Sequence, residues 1–141
     1  MTRLLPLFLL ALLLAGCTSY QTQPGSAPKL EGKQRFFVVA NSNDSRGLHH
    51  RIVASLRARG LTADSGPRTM LPDDTQAAIT YQDYWAWDFG ERLVHLQISV
   101  HEQGSPQPVA AATYSAKIPG RQTTAEIVDE LVGRLVPAVR R

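Results

Sequence analysis

The chain has little cysteine, no long apolar run and no strong charge of either sign, and each shortage narrows what it can be. Its single cysteine, Cys17, rules out an intrachain disulfide and a structural zinc site built of cysteines. The longest apolar stretch, Leu4 to Leu14, falls well short of the roughly 20 residues a helix needs to cross a hydrocarbon core. With 15 basic and 12 acidic residues the formal net charge is +3, too mild and too scattered for a nucleic-acid footprint. Aromatic residues make up 7% of the chain, and both tryptophans, Trp85 and Trp87, fall in one short segment. Apolar content is ample at 43%, enough for one packed core in a chain of single-domain size.

Arg3, the apolar stretch and then Leu14-Ala15-Gly16-Cys17 together resemble the signal peptide of bacterial lipoproteins. In that family small residues precede the cysteine, its thiol receives a lipid thioether, the leader is cut away, and acyl chains such as palmitate complete the membrane anchor. The resemblance implies a signal peptide over residues 1–16 and a lipidation site at Cys17. Thr18 stands where aspartate commonly holds such proteins in the inner membrane, so the resemblance also implies the outer membrane, facing the periplasm. Residues 18–34 are polar and rich in turn formers, including Pro24, Gly25 and Pro28. They read as a flexible tether that would hold the domain roughly 20–25 Å from the bilayer.

Residues 35–141 read as one α+β domain. Arg35-Phe36-Phe37-Val38-Val39-Ala40 suits a strand buried on both faces. Leu48, Ile52, Val53 and Leu56 follow at helical spacing, with Gly60 placed as a left-handed stop. Leu61-Thr62-Ala63-Asp64 then forms a second strand, parallel to the first because such crossovers are right-handed. Three longer strands, at 77–87, 92–102 and 108–118, are separated by short turns and form an antiparallel meander. In the middle one Val94, Leu96, Ile98 and Val100 alternate with polar residues. Thr123-Thr124-Ala125-Glu126 announces a final helix with a capping box, its apolar stripe running through Ile127, Leu131 and Leu135 to Pro137. The expectation is a mixed, mostly antiparallel five-stranded sheet with two helices on one face, in the order β-α-β-β-β-β-α.

The most distinctive segment is Thr80-Tyr81-Gln82-Asp83-Tyr84-Trp85-Ala86-Trp87-Asp88. In a regular strand Tyr81, Asp83, Trp85 and Trp87 share one face, either as core or as an open platform for stacking a ligand, with Asp83 accepting hydrogen bonds. Taken with Leu96-Gln97-Ile98-Ser99-Val100-His101-Glu102, this segment resembles small proteobacterial outer-membrane lipoproteins, a likeness that carries no functional assignment. The order of elements is similar to the α+β domains of curli-secretion and penicillin-binding-protein-activator lipoproteins, which implies fold alone.

Other chemistry is thinly signalled. His49 and His50 are adjacent on a helix, so their side chains should diverge by about 100°, and a shared metal is not expected. His95 and His101 share a strand face but stand roughly 20 Å apart. Asp88-Phe89-Gly90 lacks the loops of a kinase and reads as a hairpin turn, and no serine occupies Gly-x-Ser-x-Gly. The expectation is therefore a noncatalytic, lipid-anchored envelope protein that needs no cofactor or metal and serves as an adaptor or assembly factor for another envelope protein. Two alternatives are a binding module for cell-wall glycan or a small ligand, using Tyr81, Asp83, Trp85 and Trp87, and an envelope hydrolase pairing Asp83 or Asp88 with His95 or His101.

Overall fold

A computed structural model of the chain describes residues 18–23, 30–88, 90–118 and 120–136. The leader, Cys17, residues 24–29 of the expected tether and the stop at Pro137 lie outside them.

The described strands are β1 (Thr18–Thr22), β2 (Arg35–Val39), β3 (Thr62–Gly66), β4 (Ala77–Ala86), β5 (Arg92–Glu102) and β6 (Pro108–Ala116). Two α-helices accompany them, α1 (Leu48–Ala58) and α2 (Thr124–Leu135). They form one six-stranded sheet in the order β1-β6-β5-β4-β2-β3. As the sequence led one to expect, β2 and β3 are parallel and joined through α1, and β4, β5 and β6 form an antiparallel meander. The two halves meet where β2 lies parallel to β4.

The expected strand count was one short. Thr18–Thr22, read from sequence as the start of a tether, pairs antiparallel with β6 from Thr18↔Ala116 to Thr22↔Ala112. Tyr20 fastens it: its ring lies 5.3 Å from that of Tyr114, its hydroxyl donates to Gln122 Oε1 at 2.6 Å, and the Arg134 guanidinium sits 5.0 Å from its centroid.

Both helices cover one face of the sheet. Period-two alternation delivers Phe36, Val38, Ile79, Tyr81, Leu96, Ile98, Val100 and Tyr114 to that face, against Leu48, Ile52 and Leu56 of α1 and Val128, Leu131 and Val132 of α2. Ala110, Ala112 and Ala116 supply the small residues over which α2 lies. An irregularity between Tyr84 and Trp85 changes the pattern in β5, pairing Tyr84 with His95 but Trp85 with Leu93. Leu93 therefore turns inward and is buried, while Val94, expected inside, is only half-buried.

The helix ends follow local rules. Gly60 has φ 81°, with Gly60 N–H bonding Arg57 O and Leu61 N–H bonding Leu56 O, a Schellman closure that a side chain at this φ would strain. The capping box of α2 is complete: Thr123 Oγ1 accepts from Glu126 N–H, and Glu126 Oε2 accepts from Thr123 N–H. The helices are tied to each other through Asp129, which accepts from Ser55 Oγ at 2.7 Å and Arg59 Nη1 at 3.0 Å. No helix among the described residues is long and apolar enough to cross a membrane.

Candidate functional site

The sequence-predicted aromatic residues lie at one end of the sheet, where β4 finishes and turns into β5, and of the two readings, core or open platform, Tyr81 and Trp85 follow the core one. Tyr81 is 3% exposed, so its ring offers no stacking face. Its hydroxyl donates to Asp44 Oδ2 at 2.7 Å and accepts from Asn41 N–H at 3.2 Å. Burial first, and then the neighbouring Asp44 carboxylate, push the Tyr81 phenol well above its ordinary pKa.

Asp44, which the sequence did not single out, is the centre of this cluster. It lies in the loop between β2 and α1, and its side chain is 1% exposed. Oδ1 accepts from Arg46 N–H at 2.9 Å, while Oδ2 accepts from Leu48 N–H at 2.8 Å as well as from Tyr81. His49 Nδ1 is 3.2 Å from the same oxygen, and since an ionised carboxylate can only accept, that nitrogen carries the proton. Burial pushes the Asp44 carboxyl up, but these bonds outweigh it and hold the group down at about 2. The N-cap of α1 is Gly47, so Asp44, three residues earlier, carries no capping signal by which the sequence could have found it.

Asp83 and Trp85 satisfy each other: the indole Nε1–H donates to Asp83 Oδ2 at 2.7 Å. The Arg46 guanidinium lies 4.4 Å from the Trp85 ring centroid and is itself paired with Glu91. Trp85 is half-buried against the core. It borders a groove of about 190 Å³ lined also by Arg92, Leu93, Tyr114, Gln122 and Thr123. Arg92 Nε and Nη2 bond Asp88, and its buried Nη1 lacks a hydrogen-bond partner among the described residues. Trp87 stands apart, beyond the end of β4 and 73% exposed. Of the four residues expected on one face, only Trp87 is freely accessible.

The two strand histidines, His95 and His101, belong to the opposite, helix-free face of the sheet. His95 Nδ1 lies 3.1 Å from Ser115 Oγ, and His101 Nε2 lies 3.0 Å from Thr80 Oγ1. Asp83 projects toward the helix-covered face, and Asp88 is engaged by Arg92, so the Asp–His pairs considered for a hydrolase are not brought together. The His49 and His50 rings, expected to diverge, approach to 4.0 Å between centroids. No group of three potential metal ligands gathers among the described residues. A second groove, of about 590 Å³, runs along the helix-free face past Arg68, Leu71, Thr75, Thr80 and His101.

No family model matches the chain, and no curated protein matches it by sequence. Solved structures do. PelC from Paraburkholderia phytofirmans, a dodecamer, superposes with a TM-score of 0.61 at 15% identity, over 88% of this chain and 99% of that one. A point variant of the same dodecamer gives 0.59 at 14% identity, over 84% and 94%. A PDZ-domain protein from Parabacteroides distasonis matches at 11% identity with a TM-score of 0.49, over 99% of this chain and 41% of its own length. The chain thus shares its fold with PelC.

Proposed function

We propose that the chain is exported, lipidated at Cys17 and held on the periplasmic side of the outer membrane, where its domain binds another envelope protein without covalent chemistry of its own. The observation that carries this reading is Leu14-Ala15-Gly16-Cys17 at the end of a short apolar stretch. Several features of the domain support the noncatalytic part. Asp44, Asp83 and Asp88 are all engaged in hydrogen bonds that hold the scaffold, and His95 and His101 bond neighbouring hydroxyls rather than carboxylates. The helix-free sheet face is the surface offered to the partner, with Gln82, Gln97, Ser99 and His101 arrayed in rows able to hydrogen-bond across an interface. A photoreactive residue at position 97 of the full chain should give one dominant protein adduct in envelopes. Absence of any protein adduct, with Cys17 still labelled by palmitate, would remove the adaptor role. A second reading, in which the partner is further copies of the chain, is favoured by the dodecameric assembly of the PelC structures. Native mass measurement of the lipidated protein separates the two.

A further inference from the structure

We propose that the end of the sheet carrying the β4–β5 turn is seated on the lipid headgroups of the bilayer that holds the anchor, with Trp87 and Ile118 as its interfacial side chains. The inference rests on the lipidation of Cys17 proposed above and concerns where the domain then sits.

Connectivity carries the first step. One peptide bond separates Cys17 from Thr18, the first residue of β1, so their Cα atoms are about 3.8 Å apart. β1 is paired with β6 along its length and pinned through Tyr20, leaving no tether between anchor and domain. The lipidated atom must stay on the order of 10 Å from the end of β6, where Thr18 opposes Ala116.

Register carries the second. Beside that strand end, Arg92 Nη2 donates to Lys117 O at 3.4 Å, and Arg92 in turn opposes Ala86. The start of β1, the end of β6, the start of β5 and the end of β4 are therefore side by side, spanning roughly 15 Å over three inter-strand steps. The chain runs off this end as Lys117-Ile118 from β6 and Trp87-Asp88 from β4.

Composition carries the third. Trp87 is 73% and Ile118 52% exposed, and Tyr84, at 63%, lies just inside the same end. An indole this exposed is poorly placed in water but well placed at headgroup depth, where its ring is apolar and its N–H still finds acceptors. Lys117, next to Ile118 in the chain, is exposed and suits an anionic lipid surface, while the acidic residues of the same end, Asp88 and Glu91, are paired with Arg92 and Arg46. Anchor, aromatic, aliphatic and cationic side chains thus meet at one end of the domain, a combination that an aqueous surface does not need.

The test uses the processed, lipidated protein in vesicles of phosphatidylethanolamine and phosphatidylglycerol whose acyl chains carry bromine near the headgroup. In a Trp85→Phe background Trp87 is the remaining tryptophan, and roughly half of its emission should be quenched, because indoles at the interface lie within contact of that depth. Trp87→Phe, which retains the half-buried Trp85, should be quenched far less in the same vesicles. Unquenched Trp87 emission with Cys17 palmitate-labelled overturns this seating while leaving the anchor intact. Loss of labelling in the wild-type chain overturns the anchor and the seating with it. A photoreactive residue at position 87 that crosslinks to protein rather than lipid assigns this end to a protein partner and refutes the proposal.

Discussion

Acid should loosen the start of α1 through one carboxylate. Asp44 accepts four hydrogen bonds, from Arg46 N–H, Leu48 N–H, Tyr81 Oη–H and His49 Nδ1–H, and is almost fully enclosed. Its carboxyl falls from an ordinary 3.8 to about 2, a shift of nearly two units at about 1.4 kcal/mol each. Ionised Asp44 therefore contributes about 2 kcal/mol to stability. Because the folded pKa lies below the unfolded one, this contribution is complete above about pH 5 and is lost as pH falls through 4 toward 2. Asp44→Asn removes the titration and leaves an amide donor facing a backbone N–H, at a cost of about 2–3 kcal/mol at pH 7.

Denaturant melts of the leaderless Cys17→Ser chain, in wild-type and Asp44→Asn forms, isolate the effect of position 44 and the groups bonded to it, since distant titrating groups, including Asp129 with its lowered pKa, cancel in the difference. The stability gap between the two proteins should be constant from pH 7 to 5 and shrink by about 1.5 kcal/mol by pH 2.5. A gap that stays level across that range would refute the assignment of Asp44 as the buried, ionised centre of the loop. Circular dichroism, which reads the total helix content, checks that both forms remain folded where they are compared.

Three further outcomes follow from packing. Leu131→Ala should cost about 2–5 kcal/mol, because Leu131 is fully buried between α2 and the sheet, whereas Thr123→Ala should cost about 1 through the lost capping box; denaturant melts rank them. Trp85→Ala should cost about 2–4 kcal/mol, losing core packing, the Arg46 stack and the Asp83 bond, while Trp87→Ala should stay within about 0.5, measured the same way. Tyr20→Ala should release β1 while the rest of the sheet holds, seen as fast amide exchange at residues 18–22 with protection retained in β5.

The helices and the meander were legible in the sequence because their signals are local. Gly60 after a stripe of Leu48, Ile52 and Leu56, and Thr123 three residues before Glu126, are decided within one or two turns of chain. The aromatic segment was half legible. Alternation correctly put Tyr81 and Asp83 on one side, but the irregularity at Tyr84/Trp85 and the end of the strand at Ala86 depend on β5, and they free Trp87 from the pattern. Asp44 was missed because its four donors come from Tyr81 and from the next five residues, and only the folded loop brings them to one point.

β1 was read as tether for a physical reason that also explains why it folds. Thr18-Ser19-Tyr20-Gln21-Thr22 has one large apolar side chain, too little to offset the entropy of ordering five residues by itself. The missing stabilisation comes from elsewhere: the open edge of β6 supplies backbone partners, and Tyr114, Gln122 and Arg134 form a seat for Tyr20. None of these is near in sequence, so composition alone describes the segment as it would be before the sheet exists. The consequence reaches beyond strand counting. A tether would let the domain sample all orientations roughly 20–25 Å above the lipid. A paired edge strand starting at Thr18 instead fixes which end of the sheet lies nearest Cys17, so an anchor at that position would set the orientation of the open sheet face as well as its distance from the membrane.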